Sequence, residues 1–467
     1  MKKPKTEIRP HQRLLGGAIG SVVEIFDFSV YALTAPALAI HFFPKGDPAA
    51  ALLATFAVFA AAFFARPLGG VLFGILGDRL GRMRILSLTV LMMGGATLLT
   101  GLLPSYAAIG IAAPILLVVC RLVQGLSLGG ESSGGYTYVI ESAPDNKRGK
   151  WIGIVIFALY VPTAFLSLMI VGISGAMGDS AYMDWGWRVP FVIGGVIAGI
   201  GFWLRLRLDD PEEFEAAAAG KVTVKDTLRG LAQSWKSIGR ILLLQAPQTA
   251  AAYLVIGYMF TFVVTYGHLS QFQAQLTTGA SVLLLACLGP VFGSISDRFG
   301  RRPVLAAGFI WLVLLAYPAF ALASNGTVIG ALLGQCLLAI GVSLINSAFF
   351  VIAVEVFPTR VRYAGHGLAF NLAAAIFGGT TPLVATALVT QFGTPVAPAF
   401  YAIGLAVTLG LAGFLLTPET RHVSLRHSLL GDPKNSASHS SPEVDPSVAA
   451  PAVPNSSDST NSRHLAP

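Results

Sequence analysis

Gly74-Ile75-Leu76-Gly77-Asp78-Arg79-Leu80-Gly81-Arg82 stands where one long apolar stretch meets the next, and Gly293-Ser294-Ile295-Ser296-Asp297-Arg298-Phe299-Gly300-Arg301 repeats it 219 residues later. A glycine, an aspartate, an arginine, a second glycine and a second arginine hold the same spacing in both copies. The interval is close to half of the 467-residue chain. Another pair keeps nearly the same interval: Glu141, Pro144 and Arg148 recur 214 residues on as Glu355, Pro358 and Arg362. Two correlated repeats at almost one offset imply a duplicated chain with two halves built alike.

The solvent of those halves follows from composition. Hydrophobic residues make up 54% and charged residues only 12%, with a mean hydropathy of +0.70. Soluble domains carry about 25% charge, so lipid surrounds most of this chain. Apolar runs of spanning length predict twelve transmembrane helices. They fall near 15–42, 49–77, 85–103, 109–140, 151–174 and 189–206, then 239–265, 273–295, 304–323, 327–354, 364–390 and 396–417. The predicted organisation is a tail at 1–14, a six-helix bundle at 15–206, a connector at 207–238, a second bundle at 239–417 and a tail at 418–467. The last segment turns rich in Ser, Pro, Ala and Asn, a composition that reads as disordered. Cys120, Cys287 and Cys336 fall inside apolar runs and read as buried small residues, not as a disulfide framework.

Of the 31 Lys and Arg, 27 fall in the tails and in the loops on one side, and only Lys45 and Arg188 on the other. Basic residues stay cytoplasmic, so both termini are expected inside. The +8 formal charge is then a topology signal and implies no nucleic-acid partner. A short basic tail before a long first span also argues against a cleavable signal. Duplicated bundles with charged cassettes on one side imply a solute carrier working by alternating access, not a channel. Asp78 and Asp297 sit at helix ends, where an acid can face the positive end of a helix from the opposite half. Arg79, Arg82, Arg298 and Arg301 can pair with Glu141 and Glu355 there. With Arg148 and Arg362 these residues form an expected cytoplasmic gate.

An ionisable group at the bilayer centre costs at least about 2.5–3.5 kcal/mol, which makes it a functional candidate. Glu24, Asp27, Arg66, Arg121 and Glu131 qualify. At about 1.5 Å per residue, Glu24, Asp27, Arg66 and Glu131 share one depth in the cytoplasmic half, with Asp27 one turn beyond Glu24. Three acids against one arginine cannot all stay ionised in low dielectric. At least one must bind a proton during the cycle, and Asp27 and Glu131 are expected to alternate between protonation and pairing with Arg66. Arg121 lies nearer the middle and reads as an unpaired fork for a substrate carboxylate. Gln124 shares its face, and Gln335 is its counterpart in the second half. Gln245, Gln248, Asn346 and Asn371 offer neutral donors, Asn371 being counted with the substrate site. His268 and His366 fall near span ends, where a solvated position is expected.

The cassettes resemble the signature of the major facilitator superfamily. Further stretches resemble its metabolite:proton symporter branch: Glu24-Ile25-Phe26-Asp27-Phe28, Arg66-Pro67-Leu68-Gly69-Gly70, Arg121-Leu122-Val123-Gln124-Gly125 through Gly129-Gly130-Glu131, and Asp184-Trp185-Gly186-Trp187-Arg188-Val189-Pro190. Ile25 stands where many members have Trp. Ala375-Ile376-Phe377-Gly378-Gly379-Thr380-Thr381-Pro382 is similar to the citrate and tricarballylate carriers. The resemblance implies an all-α polytopic fold of two six-helix bundles in a bacterial inner membrane, acting as a monomer without cofactor or metal. It implies proton-coupled import of an organic anion, a di- or tricarboxylate. The rival substrate is a zwitterionic osmolyte such as proline or betaine, whose osmosensing carriers tend to end in a coiled coil that this tail cannot form.

Catalysis has little support. Gly125-Leu126-Ser127-Leu128-Gly129 fits a hydrolase nucleophile pattern, and Gly172-Ile173-Ser174-Gly175 is similar to a rhomboid protease serine. The first sits mid-helix, where the elbow it needs cannot form, and neither has a histidine base at matching depth.

Overall fold

The computed structural model describes residues 24–44, 46–80, 82–129, 139–140, 143–144, 146–205, 232–357 and 362–421. The expected N-terminal tail, most of the connector, the C-terminal tail from 422, Glu131 and Glu141 lie outside these residues, as do the side chains of Asp78, Arg79 and Arg82.

Among the described residues nine helices are long and apolar enough to cross a membrane, two more spans are bent pairs, and the shorter apolar Ser87–Leu102 completes twelve. In chain order, α1 is Glu24–Leu33 with Ala35–Phe42, bent by 64°. Then come α2 (Pro48–Leu80), α3 (Arg82–Leu102), α4 (Ala112–Gly129), α5 (Arg148–Met177) and α6 (Arg188–Arg205). The second half has α7 (Trp235–Thr265), α8 (Gln271–Phe299), α9 (Arg301–Ala323), α10 (Val328–Glu355), α11 (Gly365–Phe392) and α12 (Ala397–Leu416).

The second cassette is helical where a loop was expected. α8 runs through Asp297 to Phe299 and α9 begins at Arg301. Gly300 alone makes the turn, with φ 106, a backbone that side-chain-bearing residues rarely adopt. Asp297 therefore lies in the last turn of α8, against that helix's own dipole, and must find its compensation elsewhere.

The bundles meet along two seams, α5 with α8 and α2 with α11. Advancing each helix by six places exchanges one seam with the other, as the repeated cassettes require. Along α5–α8 the backbones touch: a Cβ added at Gly149 would come within 2.9 Å of the Asp297 carboxylate, and one at Gly153 within 2.5 Å of the Pro290 Cα. Small residues let membrane helices approach this closely where no hydrophobic force drives them together. Within the first bundle Gly129 likewise lets α4 press on α2 beside Arg66, where its Cβ would overlap the Gly70 backbone.

Central and peripheral helices separate by burial. The apolar windows of α7 and α10 are 78% and 83% buried, against 28% for α12. α12 therefore turns most of its surface outward, and α7 and α10 line the interior of their half. Just after Tyr253, α7 widens into a π turn over Leu254–Tyr258, and α11 does the same over Ala374–Gly378. Such widenings concentrate at functional sites. The cysteines depart from expectation: Cys120 is buried, but Cys287 is exposed and Cys336 intermediate.

Candidate functional site

Glu24 and Asp27 meet different arginines. Three residues apart, they share a face of α1, but different helices bring the arginines that meet them. Glu24 faces α2, where Arg66 Nη2 donates to its Oε1 at 2.9 Å. Asp27 faces α3 and α4 and is 2% exposed. Its Oδ1 accepts from Gln124 Nε2 at 2.5 Å and from the Thr97 hydroxyl, and its Oδ2 lies 3.5 Å from Arg121 Nη1. Arg121 Nη1 also donates to Gln124 Oε1 at 2.9 Å, because residues three apart on α4 share a face.

Aromatic rings surround these charges. The Arg121 guanidinium carbon lies 4.2 Å from the Tyr31 ring centroid, 5.2 Å from Phe59 and 5.5 Å from Phe28. Arg66 lies 5.7 Å from both Phe28 and Phe63. Rings so placed stabilise a cation that water no longer reaches. Arg121 still keeps Nε and Nη2 buried without a hydrogen-bond partner among the described residues. A buried donor left unpaired costs about 1–3 kcal/mol, so these two nitrogens are ready for an acceptor.

The second half contributes neutral groups. The Thr249 hydroxyl donates to Gln248 Oε1 at 2.9 Å, Gln248 Nε2 to Asn346 Oδ1 at 2.8 Å, and Asn346 Nδ2 to the Tyr160 hydroxyl at 3.0 Å. Tyr160 belongs to α5, so this chain of hydrogen bonds crosses between bundles. Gln335 is held within its own half by Ser281 and Thr277, at 3.2 and 3.1 Å. Asn371 Nδ2 bonds back to Gly367 O at 2.9 Å, and its buried Oδ1 has no hydrogen-bond partner among the described residues.

At the helix ends of the second cassette, Asp297 finds its compensation on the opposite bundle. Its two oxygens accept from the amides of Gly149 and Lys150, each at 2.8 Å, in the first turn of α5. Arg148 Nη1 reaches Glu355 Oε1 of α10 at 3.0 Å, both side chains being 1% exposed or less. Arg301 joins the two acids, 2.7 Å from Asp297 and 3.9 Å from Glu355. Glu419, just past α12, accepts from the amides of Arg301 and Arg302 at 2.9 Å each and so caps α9. Burial pushes the Glu419 carboxyl up, but backbone N–H groups of Arg301, Arg302, Arg421 and Thr420 outweigh it and hold the group below the usual carboxylate range.

Several expectations change against this geometry. Arg121 is not an unpaired fork, because α1 brings Asp27 to it. Asp27 pairs with Arg121 and not with Arg66, which Glu24 occupies. Gln335 is a bond between α8 and α10. Arg298 is exposed over the Phe299 ring at 5.4 Å, since one residue past Asp297 the helix has turned by about 100°. Arg362 is buried, and its Nε donates to Phe357 O at 3.3 Å. His268 is exposed, but His366 is 1% exposed and not solvated. The two candidate nucleophile serines bond back along their helices, Ser127 to Val123 O at 2.8 Å and Ser174 to Val171 O at 3.3 Å. Thr97, Tyr31, Tyr253, Tyr160 and Glu419 were not foreseen. Only Glu419 had a signal: an acid after Pro418, where a helix end meets a basic tail.

The family model for "Sugar (and other) transporter" matches residues 15–214, and that for the Major Facilitator Superfamily matches residues 241–440. The chain belongs to the major facilitator superfamily of integral membrane transporters. It is similar to a proline/betaine transporter of Salmonella typhimurium, 35% identical over 430 residues that cover 88% of this chain and 84% of the relative. A glycine betaine/proline/ectoine/pipecolic acid transporter of Dickeya dadantii is 35% identical over 433 residues, 90% of this chain and 85% of the relative. Among solved structures, a D-xylose-proton symporter has the same fold, with a TM-score of 0.70 at 20% identity over 88% of this chain and 98% of that one.

Proposed function

We propose that the chain is a proton-coupled importer of a small zwitterionic osmolyte of the proline and betaine kind. It acts in the inner membrane with both termini cytoplasmic. The observation that supports this reading is that each buried arginine described at the centre already faces a carboxylate. Among the described residues Arg66 and Arg121 stand against Glu24 and Asp27. A di- or tricarboxylate entering there would bring two or three charges that nothing neutralises, at several kcal/mol per ion. A ligand with one carboxylate needs only the two free donors of Arg121. The relatives named as proline and betaine transporters support the same choice over the citrate-like one.

The mechanism follows from Asp27. When the ligand carboxylate takes Arg121, the guanidinium is shared and Asp27 loses part of its compensation. Protonation then removes the uncompensated charge, so proton and ligand bind with mutual gain. Gln124 and Thr97 can turn to suit either state of the carboxyl. Asp297, Arg148, Arg301 and Glu355 latch the cytoplasmic ends, and releasing the latch lets the bundles rock apart on that side.

Uptake of labelled proline, glycine betaine and citrate into proteoliposomes under an inward proton gradient tests the reading. Accumulation of either zwitterion without citrate is expected. Accumulation of citrate alone would restore the di- or tricarboxylate reading.

A further inference from the structure

Three aromatic rings meet across the α2–α11 side of the interface. Phe59 and Phe63 of α2 stand 5.3 Å apart, and Tyr253 of α7 meets Phe63 edge-on at 5.2 Å and Phe59 at 6.3 Å. α11 closes the group from behind. A Cβ on Gly379 would lie 2.6 Å from the Phe63 ring, and one on Gly378 would lie 2.9 Å from Tyr253. Any larger residue there would push α11 off the rings. The Gly378-Gly379 pair, whose sequence is similar to carboxylate carriers, therefore serves to seat α11 on an aromatic cluster.

The cluster adjoins the free donors. Phe59 already faces the Arg121 guanidinium at 5.2 Å and Phe63 faces Arg66 at 5.7 Å, so both rings already stabilise positive charge. A quaternary ammonium has no N–H to donate and is held by ring faces, not by hydrogen bonds. In glycine betaine one methylene separates the ammonium from the carboxylate. A carboxylate on Arg121 Nε and Nη2 therefore leaves the ammonium beside Phe59.

We infer that Phe59, Phe63 and Tyr253 form a subsite for the methylated ammonium of the ligand, completed only when the two bundles close around it. Two rings come from the first bundle and the third from the second. The cation is thus gripped from both sides in the closed state and from one side in the open states. Differential affinity of this kind lets a ligand drive closure. This subsite rests on the proposed osmolyte function.

The test compares glycine betaine with 3,3-dimethylbutanoate, which has the same shape and carboxylate but a neutral carbon in place of the ammonium nitrogen. Each competes against labelled glycine betaine or proline for uptake into proteoliposomes. The wild-type chain is expected to prefer betaine by about tenfold, the scale of a desolvated cation–ring contact. Phe63→Leu and Tyr253→Leu should bring the ratio close to one, while Tyr253→Phe, which keeps the ring, should restore it. Equal inhibition by the two compounds in the wild type overturns the subsite and leaves the osmolyte function standing. A preference that survives both leucine substitutions also overturns it. A chain that carries neither labelled zwitterion overturns the osmolyte function, and this subsite with it.

Discussion

Glu355→Gln should loosen the latched ends of the two bundles. Glu355 is 2% exposed and accepts Arg148 from the opposite bundle at 3.0 Å, with Arg301 at 3.9 Å. Glutamine keeps the shape and one hydrogen bond but removes the charge that two buried guanidinium groups face. Charge-assisted bonds contribute about 1.5–3 kcal/mol, of which a neutral amide retains only part. A loss of about 2 kcal/mol is reasonable, and it falls on the latched state alone if the pair separates when the carrier faces inward. That shifts the equilibrium toward the inward-open state by about 30-fold. Spin labels at exposed Lys147 and Phe299, one on each bundle, would report the separation by double electron–electron resonance. The variant should gain a longer distance population that the parent lacks. Identical distance distributions, in a variant that inserts and purifies normally, would refute the latch.

Arg121→Lys keeps the charge but loses the planar fork, and KM for the zwitterion should rise by about tenfold or more while membrane insertion is unchanged; an unaltered KM removes Arg121 from the ligand. Asp27→Asn should abolish accumulation against a gradient yet leave counterflow measurable, whereas concentrative uptake at the parental level would take Asp27 out of the proton path. Glu419 has its folded-state carboxyl below the ordinary value of 4.5, so its contribution is complete above that value and is lost only as pH falls through the depressed one. From about pH 7 to about pH 5 the amides of Arg301 and Arg302 should therefore keep their protection from hydrogen exchange, and a loss of protection there in that window, after correction for the intrinsic rate, would contradict the capping role.

The architecture was legible because it is periodic and repeated. Twelve apolar runs and two cassettes at one offset leave little freedom, and Asp297 was recognisable as an acid needing a foreign helix end. What the sequence could not display is which way a side chain turns once helices pack. Glu24 and Asp27 read as one acidic face serving Arg66, but packing of α4 against α1 brings Arg121 to Asp27 and leaves Arg66 to Glu24. Of the three acids set against Arg66 in the sequence, Glu24 takes that arginine and Asp27 takes Arg121, while Glu131 lies outside the described residues. The di- or tricarboxylate expectation rested on the citrate-like stretch at 375–382 and on an unpaired Arg121, and the second of these supports falls away. Offset counting also misled at Gln335, whose amide is used up between Ser281 and Thr277. Tyr253 carries no sequence mark at all, since its importance comes from an inter-bundle contact.

Proton movement tied to ligand movement tests the central claim most directly. A pH dye sealed inside proteoliposomes should report acidification of the lumen when glycine betaine or proline is added outside, and no response in Asp27→Asn vesicles. A lumen that stays at constant pH while either zwitterion enters would contradict the coupling of the Asp27–Arg121 pair to a single-carboxylate ligand.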